Sequence, residues 1–83
     1  MSTVYTGLSE LDKLQTKIMR YVDWWVHEKK TKIPRKAIID NMTKQGIKEQ
    51  TTIKAIQVLL RKGYIRRAIV ISNKSYFVQL RSI

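Results

Sequence analysis

Apolar residues recur along this chain at two different periods, and the change from one to the other divides it. Leu11, Leu14, Ile18, Tyr21, Val22 and Trp25 fall at steps of three and four, the spacing that lines one face of a 3.6-residue helix. Ser9, three residues before Asp12, has the S/T-x-x-D/E form of a helix start, and Glu10 and Asp12 suit the positive end of the dipole. These signals predict a first helix over residues 9–30, preceded by a flexible arm over residues 1–8. Pro34 disfavours helical geometry at Ile33 yet suits the first turn of a new helix. Ala37, Ile38 and Met42 then sit at helical spacing, so a second helix is expected over residues 34–45, ended by Gly46. Ile53, Ile56, Leu59 and Leu60 form a third stripe, which predicts a helix over residues 48–62 with the stripe turned inward. Arg61 and Lys62 suit its negative end, and Gly63 stands where a helix terminus favours positive φ.

Beyond Gly63 the period falls to two. The β-branched run from Tyr64 to Ile71 and the run from Tyr76 to Leu80 read as strands. Between them Ser72, Asn73, Lys74 and Ser75 make a polar turn. The pair predicts a hairpin over residues 64–80, with Ile65, Ile69 and Ile71 facing inward beside Tyr76, Val78 and Leu80. Arg66 and Arg67 are successive, so they point to opposite faces of their strand. The fold class expected is mainly α with a small β-hairpin (α+β), a single domain over residues 9–83.

Eighty-three residues support one modest core. There is no cysteine, which excludes disulfides and thiolate metal sites. No apolar run approaches the length of a membrane span. Met-Ser-Thr-Val-Tyr-Thr-Gly at the N-terminus has neither a basic nor an apolar leader region. A cytoplasmic protein is expected. Charge adds more. The chain carries +11, and residues 1–30 hold five basic and four acidic side chains, a net of +1. Residues 31–83 hold twelve basic and two acidic, a net of +10. A basic excess confined to one region is the electrostatic footprint of a nucleic-acid binder.

The reverse face of the third helix carries Gln50, Thr51, Lys54, Gln57 and Arg61, side chains able to reach phosphates and base edges. Two helices joined by a short Gly-containing turn match the helix-turn-helix description. The full order of three helices and a basic hairpin resembles the winged helix-turn-helix family. The run Thr51-Thr52-Ile53…Leu59-Leu60-Arg61-Lys62-Gly63-Tyr64-Ile65 is similar to the recognition helix and first wing strand of MarR-like and ArsR-like regulators. That resemblance covers about residues 9–81 and implies double-stranded DNA binding by a transcriptional regulator. The third helix would enter the major groove, and the hairpin would meet the backbone or minor groove. It implies that Gln50, Thr51, Lys54 and Gln57 point into the groove while Lys48 and Arg61 flank them on phosphates. Arg35 and Lys36 would meet the backbone at the start of the second helix. Asn73 and Lys74 would act from the wing with Arg66, Arg67 being the alternative on the other strand face. The small size, the richness in Lys and Ile and the absence of a sensor domain resemble compact regulators of viruses and plasmids, for which a nucleoid or host-cytoplasm location is implied.

Trp24 lies about 100° of helical rotation from Trp25, so the two cannot face one core. Tyr21, Trp24 and Glu28 are the candidate dimer interface, because exposed aromatic surface marks a contact. A C-terminal dimerisation helix like that of larger regulators is not expected, which would throw a homodimer onto the first helix and the N-terminal arm. The alternative is that Trp24 lies under the chain's own arm or wing. Rival functions are a winged-helix protein–protein interaction module and an RNA or single-strand binder using Tyr64, Tyr76 and Phe77. Against those aromatics stands the simpler expectation that two of them close the core. Enzymatic activity, a cofactor, a metal site and a small-molecule substrate are not expected. His27 is the only histidine, Asp23 at i−4 suits a surface pair with it, and no paired carboxylates or Gly-rich phosphate loop occur.

Overall fold

A computed structural model describes residues 11–68 and 74–83. The arm, Ser9, and the part of the hairpin that includes Ile69, Ile71 and Asn73 lie outside them. Three helices come in chain order, α1 (Lys13–Lys29), α2 (Arg35–Lys44) and α3 (Glu49–Lys62), with strands β1 (Ile33–Pro34), β2 (Ile65–Arg67) and β3 (Tyr76–Gln79). The strands form an antiparallel sheet in the order β1-β3-β2. Helix pair, turn, third helix and sheet make a winged-helix layout of the α+β class.

α1 starts later than its apolar pattern predicts. Asp12 is its cap: the carboxylate Oδ1 accepts from the Gln15 amide at 2.7 Å, and Gln15 Oε1 accepts from the Asp12 amide at 3.3 Å. That reciprocal capping box satisfies two donors at once. A carboxylate with Gln three positions on does here what Ser9 was expected to do. At the other end Lys30 takes left-handed geometry (φ 52°) and donates to the Val26 carbonyl at 3.0 Å.

The turns at Gly46 and Gly63 share one construction. Gly46 (φ 84°) donates to Thr43 O and Ile47 to Met42 O. Gly63 (φ 78°) donates to Leu60 O and Tyr64 to Leu59 O. Each pair closes a helix end in the Schellman pattern, which needs a residue at ease at positive φ. The first aims α3 across α2; the second delivers the chain from α3 into β2 within two residues.

Three expectations about faces need correction. Ile33 and Pro34, read as a simple break, form a third strand: Ile33 pairs with Phe77 and Pro34 with Tyr76. Pro can serve because an edge strand does not need its amide. That pairing settles the parity of β3 against the one expected. Phe77 faces the helices and is fully buried, Tyr76 and Val78 are half-buried, and Leu80 is 52% exposed. The buried stripe of α3 is also turned from the expected line. Thr52, Ala55, Ile56 and Leu59 are buried, while Ile53 and Leu60 pack at its margin. Thr52 and Ala55 are small enough to let neighbouring elements approach closely. The Thr52 hydroxyl is satisfied by donating to the Lys48 carbonyl at 3.2 Å, so its burial leaves no orphan donor.

The core lies between α1, α2 and α3 and is closed by the sheet. Ile18, Met19 and Val22 from α1 meet Ile38 and Met42 from α2, Leu59 from α3, and Ile33, Ile65 and Phe77 from the strands. Tyr64 is buried too, so two of the three C-terminal aromatics close the core, as expected. Among the described residues no helix is long and apolar enough to cross a membrane.

Candidate nucleic-acid interface

Burial of one side of α3 leaves the other in solvent. Gln50, Lys54, Gln57 and Arg61 fall within about 60° of helix rotation, and all four are exposed. Thr51 is exposed on one flank of this arc; Ile53 and Leu60 border the other. No acidic side chain lies on the arc. Glu49, in the first turn, faces off it, where a carboxylate suits the helix dipole. Among the described residues none of Gln50, Thr51, Lys54, Gln57 and Arg61 is engaged in an ion pair or side-chain hydrogen bond. Lys48, just before α3, is exposed as well.

Along the Ile53–Leu60 flank, α3 and the sheet enclose a groove. Arg35, Gln57, Arg67 and Ser75 line it together with Ile53, Ile56, Leu60 and Phe77. Two backbone hydrogen bonds fix its walls. The Arg35 amide donates to Ser75 O at 2.9 Å, which ties the first residue of α2 to the approach of β3, and Ala68 donates to Tyr76 O at 2.8 Å. The result is a shallow channel with an apolar floor and two guanidinium groups at its margins. On the other side of Arg35, a second cavity is lined by Lys36, Asp40, Lys74, Ser75 and Tyr76. Lys36 is drawn toward Asp40 by an exposed i,i+4 ion pair at 3.6 Å, a weak restraint that another anion can displace.

Of the residues singled out from sequence, Gln57, Arg35, Lys36 and Lys74 are thus grouped about the start of α2 and the margin of α3. Arg66 is not among them. It is paired with Val78, and it lines a different hollow with Lys32, Arg67, Ala68 and Val78. Arg67, its alternative, shares the groove with Gln57 and Arg35. The sequence signal for choosing between the two is strand parity: period two puts Arg67 on the face of Ile65, which was expected inward and is buried.

The aromatic face of α1 is a separate feature. The Tyr21 and Trp24 rings stack at 5.9 Å with 16° between planes, and Trp25 meets Tyr21 edge-on at 6.1 Å. Lys29 Nζ lies 5.9 Å from the Trp24 ring and 5.1 Å from that of Trp25. Trp24 remains 49% exposed, and Glu28 is exposed one turn further on. Burial raises the pKa of the Tyr21 hydroxyl, and the Asp40 carboxylate adds to the effect. Asp23 is held by other partners. Gln79 donates to its Oδ1 at 3.1 Å, and His27 Nδ1 is 2.8 Å from its carbonyl and 3.7 Å from Oδ1. The pair expected between Asp23 and His27 is therefore present. Among the described residues no three His, Asp or Glu side chains converge as metal ligands.

No protein-family model matches the chain, and neither does any curated protein or solved structure.

Proposed function

We propose that this chain is a sequence-specific double-stranded-DNA-binding protein that acts as a homodimeric transcriptional regulator. One observation carries the reading: Gln50, Lys54, Gln57 and Arg61 form an exposed, acid-free arc on α3, opposite its buried stripe. A helix fits the major groove, where Gln reads adenine with one donor and one acceptor and Lys donates to guanine O6 and N7. Arg35, Arg67, Lys48 and Lys74 stand where phosphates would pass on either side. The net +10 of residues 31–83 supports the same assignment.

Stacking of single strands on the hairpin aromatics has less support, since Tyr64 and Phe77 are buried and only Tyr76 of the three is partly accessible. The exposed Trp24 favours a protein contact in addition to DNA, and a second copy of the chain is the partner assigned to it. The test is binding to labelled duplex across a salt series. Affinity should fall with a log–log slope of about −0.9 per phosphate contact, and competition by single strands should be weak. Affinity that does not change with salt would defeat the proposal.

A further inference from the structure

We propose that α1 packs antiparallel against α1 of a second copy, about a two-fold axis level with the midpoint of residues 22 and 23 and lying against the exposed Tyr21–Trp24 face. This deepens the homodimer part of the proposed function and does not depend on what the chain binds.

Lys17, Tyr21, Trp24 and Glu28 lie within about 60° of rotation on one side of α1. Their order is self-complementary. Lys17 and Glu28 are placed symmetrically about the midpoint of residues 22 and 23, and so are Tyr21 and Trp24. When two copies of such a face meet antiparallel on a two-fold axis, each residue meets its mirror position and the contact repeats twice. Tyr21 then faces the partner's Trp24 at the centre, and Lys17 faces the partner's Glu28 at both ends. Aromatic groups in the middle with charges at the rim are the ordinary anatomy of a specific interface.

Charge selects the second copy as occupant, and it selects the orientation. The first half of α1 carries Lys13, Lys17 and Arg20 with no acid, whereas both acids, Asp23 and Glu28, lie in the second half beside the single cation Lys29. Parallel packing would set Lys17 on Lys17 and Glu28 on Glu28. Antiparallel packing sets the basic half on the half that holds both acids, whose net charge is −1. Asp23 already has Gln79 and His27, so the complementary charge rests on Glu28. Among the described residues neither Lys17 nor Glu28 has an ion-pair partner within its own chain. The patch is ordered in advance by the Tyr21–Trp24 stack, which lowers the entropy lost on association. α1 is about 25 Å long, so the interface is small and the dimer should dissociate within reach of dilution.

Sedimentation equilibrium of the full chain at tens of micromolar tests this, with circular dichroism checking that each variant keeps its helix content. The wild type should show the mass of two chains. Lys17→Glu alone and Glu28→Lys alone should each weaken association about tenfold, because both symmetric pairs become repulsive. The double variant Lys17→Glu/Glu28→Lys should recover. An equimolar mixture of the two single variants should also recover, because in the mixed dimer every charge again meets its opposite. A one-chain mass for the wild type would overturn the proposal, as when the N-terminal arm covers Trp24. So would a dimer that ignores the single reversals, or a double variant that stays weak. Duplex binding is read separately on the same samples: a two-chain mass without DNA affinity would defeat the DNA reading and leave this arrangement standing.

Discussion

Arg67 stands directly across the β2–β3 ladder from Phe77, and the same row ends at Ile33 on β1. Ile33 and Phe77 are buried, so Arg67 springs from the helix-facing side of the sheet, where it lines the groove along α3. Arg66 faces away. If the groove beside Gln57 carries a phosphate, Arg67→Gln should reduce the salt slope of duplex binding by about 1 and weaken all sequences alike. Arg66→Gln should leave both quantities nearly unchanged. Equal losses from the two variants would show that the sheet does not select between them.

Lys54 lies midway along the exposed arc of α3, where a groove-bound helix would bring its side chain to a base edge. Lys54→Ala should cost about 1–3 kcal/mol of binding to a selected duplex and relax preference at a single base pair. Selection of bound duplexes from a random pool, run on both proteins, provides the measurement. A uniform loss with an unaltered preferred sequence would demote Lys54 to a phosphate contact.

Gly63 holds φ at 78°, yet a Cβ added there would have nothing within 4 Å. The cost of Gly63→Ala is therefore purely conformational, about 1–2 kcal/mol. Urea unfolding should show a lower midpoint with unchanged slope. Gly63→Asn should recover part of the loss, since Asn tolerates left-handed geometry. A midpoint equal to the wild type's would mean that the chain leaves α3 by another route.

Most of the helical framework could be read from apolar spacing, because a stripe recurring every three or four residues survives an error of one or two at its ends. Gly46, Gly63 and Pro34 punctuated it through backbone chemistry that depends little on distant contacts. Strands are less forgiving. In Tyr76–Gln79 every second residue changes face, so parity rests on the partner, and that partner was a two-residue strand at Ile33–Pro34. Two residues are too few to show a period, and a proline argues against a strand from local rules. Phe77 fell on the wrong side of the expected alternation for that one reason. Thr52 is a different case: a buried threonine cannot be told from a surface one until its hydroxyl has found the Lys48 carbonyl.

The parity of β3 yields a direct stability comparison. Phe77→Ala removes a fully buried ring, and such truncations cost about 3–5 kcal/mol. Leu80→Ala, at a position 52% exposed, should stay within about 0.5 kcal/mol. Denaturant midpoints of the two variants decide the matter. The reverse order would restore the alternation that places Tyr76, Val78 and Leu80 inward.

Tyr21 links the aromatic face of α1 to the pH dependence of stability. Burial, aided by the nearby Asp40 carboxylate, raises its pKa above the usual value of about 10. The folded chain therefore holds this proton more tightly than the unfolded chain does. Its contribution to stability is complete below the unfolded pKa and declines as pH rises through the folded one, since in that window the native state carries the extra proton. Tyr21→Phe keeps a ring able to stack on Trp24 and removes the titrating hydroxyl. Wild type and variant should lose stability at different rates above about pH 10, with the variant flatter, while their neutral-pH midpoints differ little. Urea midpoints followed into the alkaline range supply the comparison, and taking the difference cancels the titration of the other tyrosines and the lysines. Parallel alkaline losses would mean that the Tyr21 hydroxyl sits in an environment no less hydrated than that of the unfolded chain.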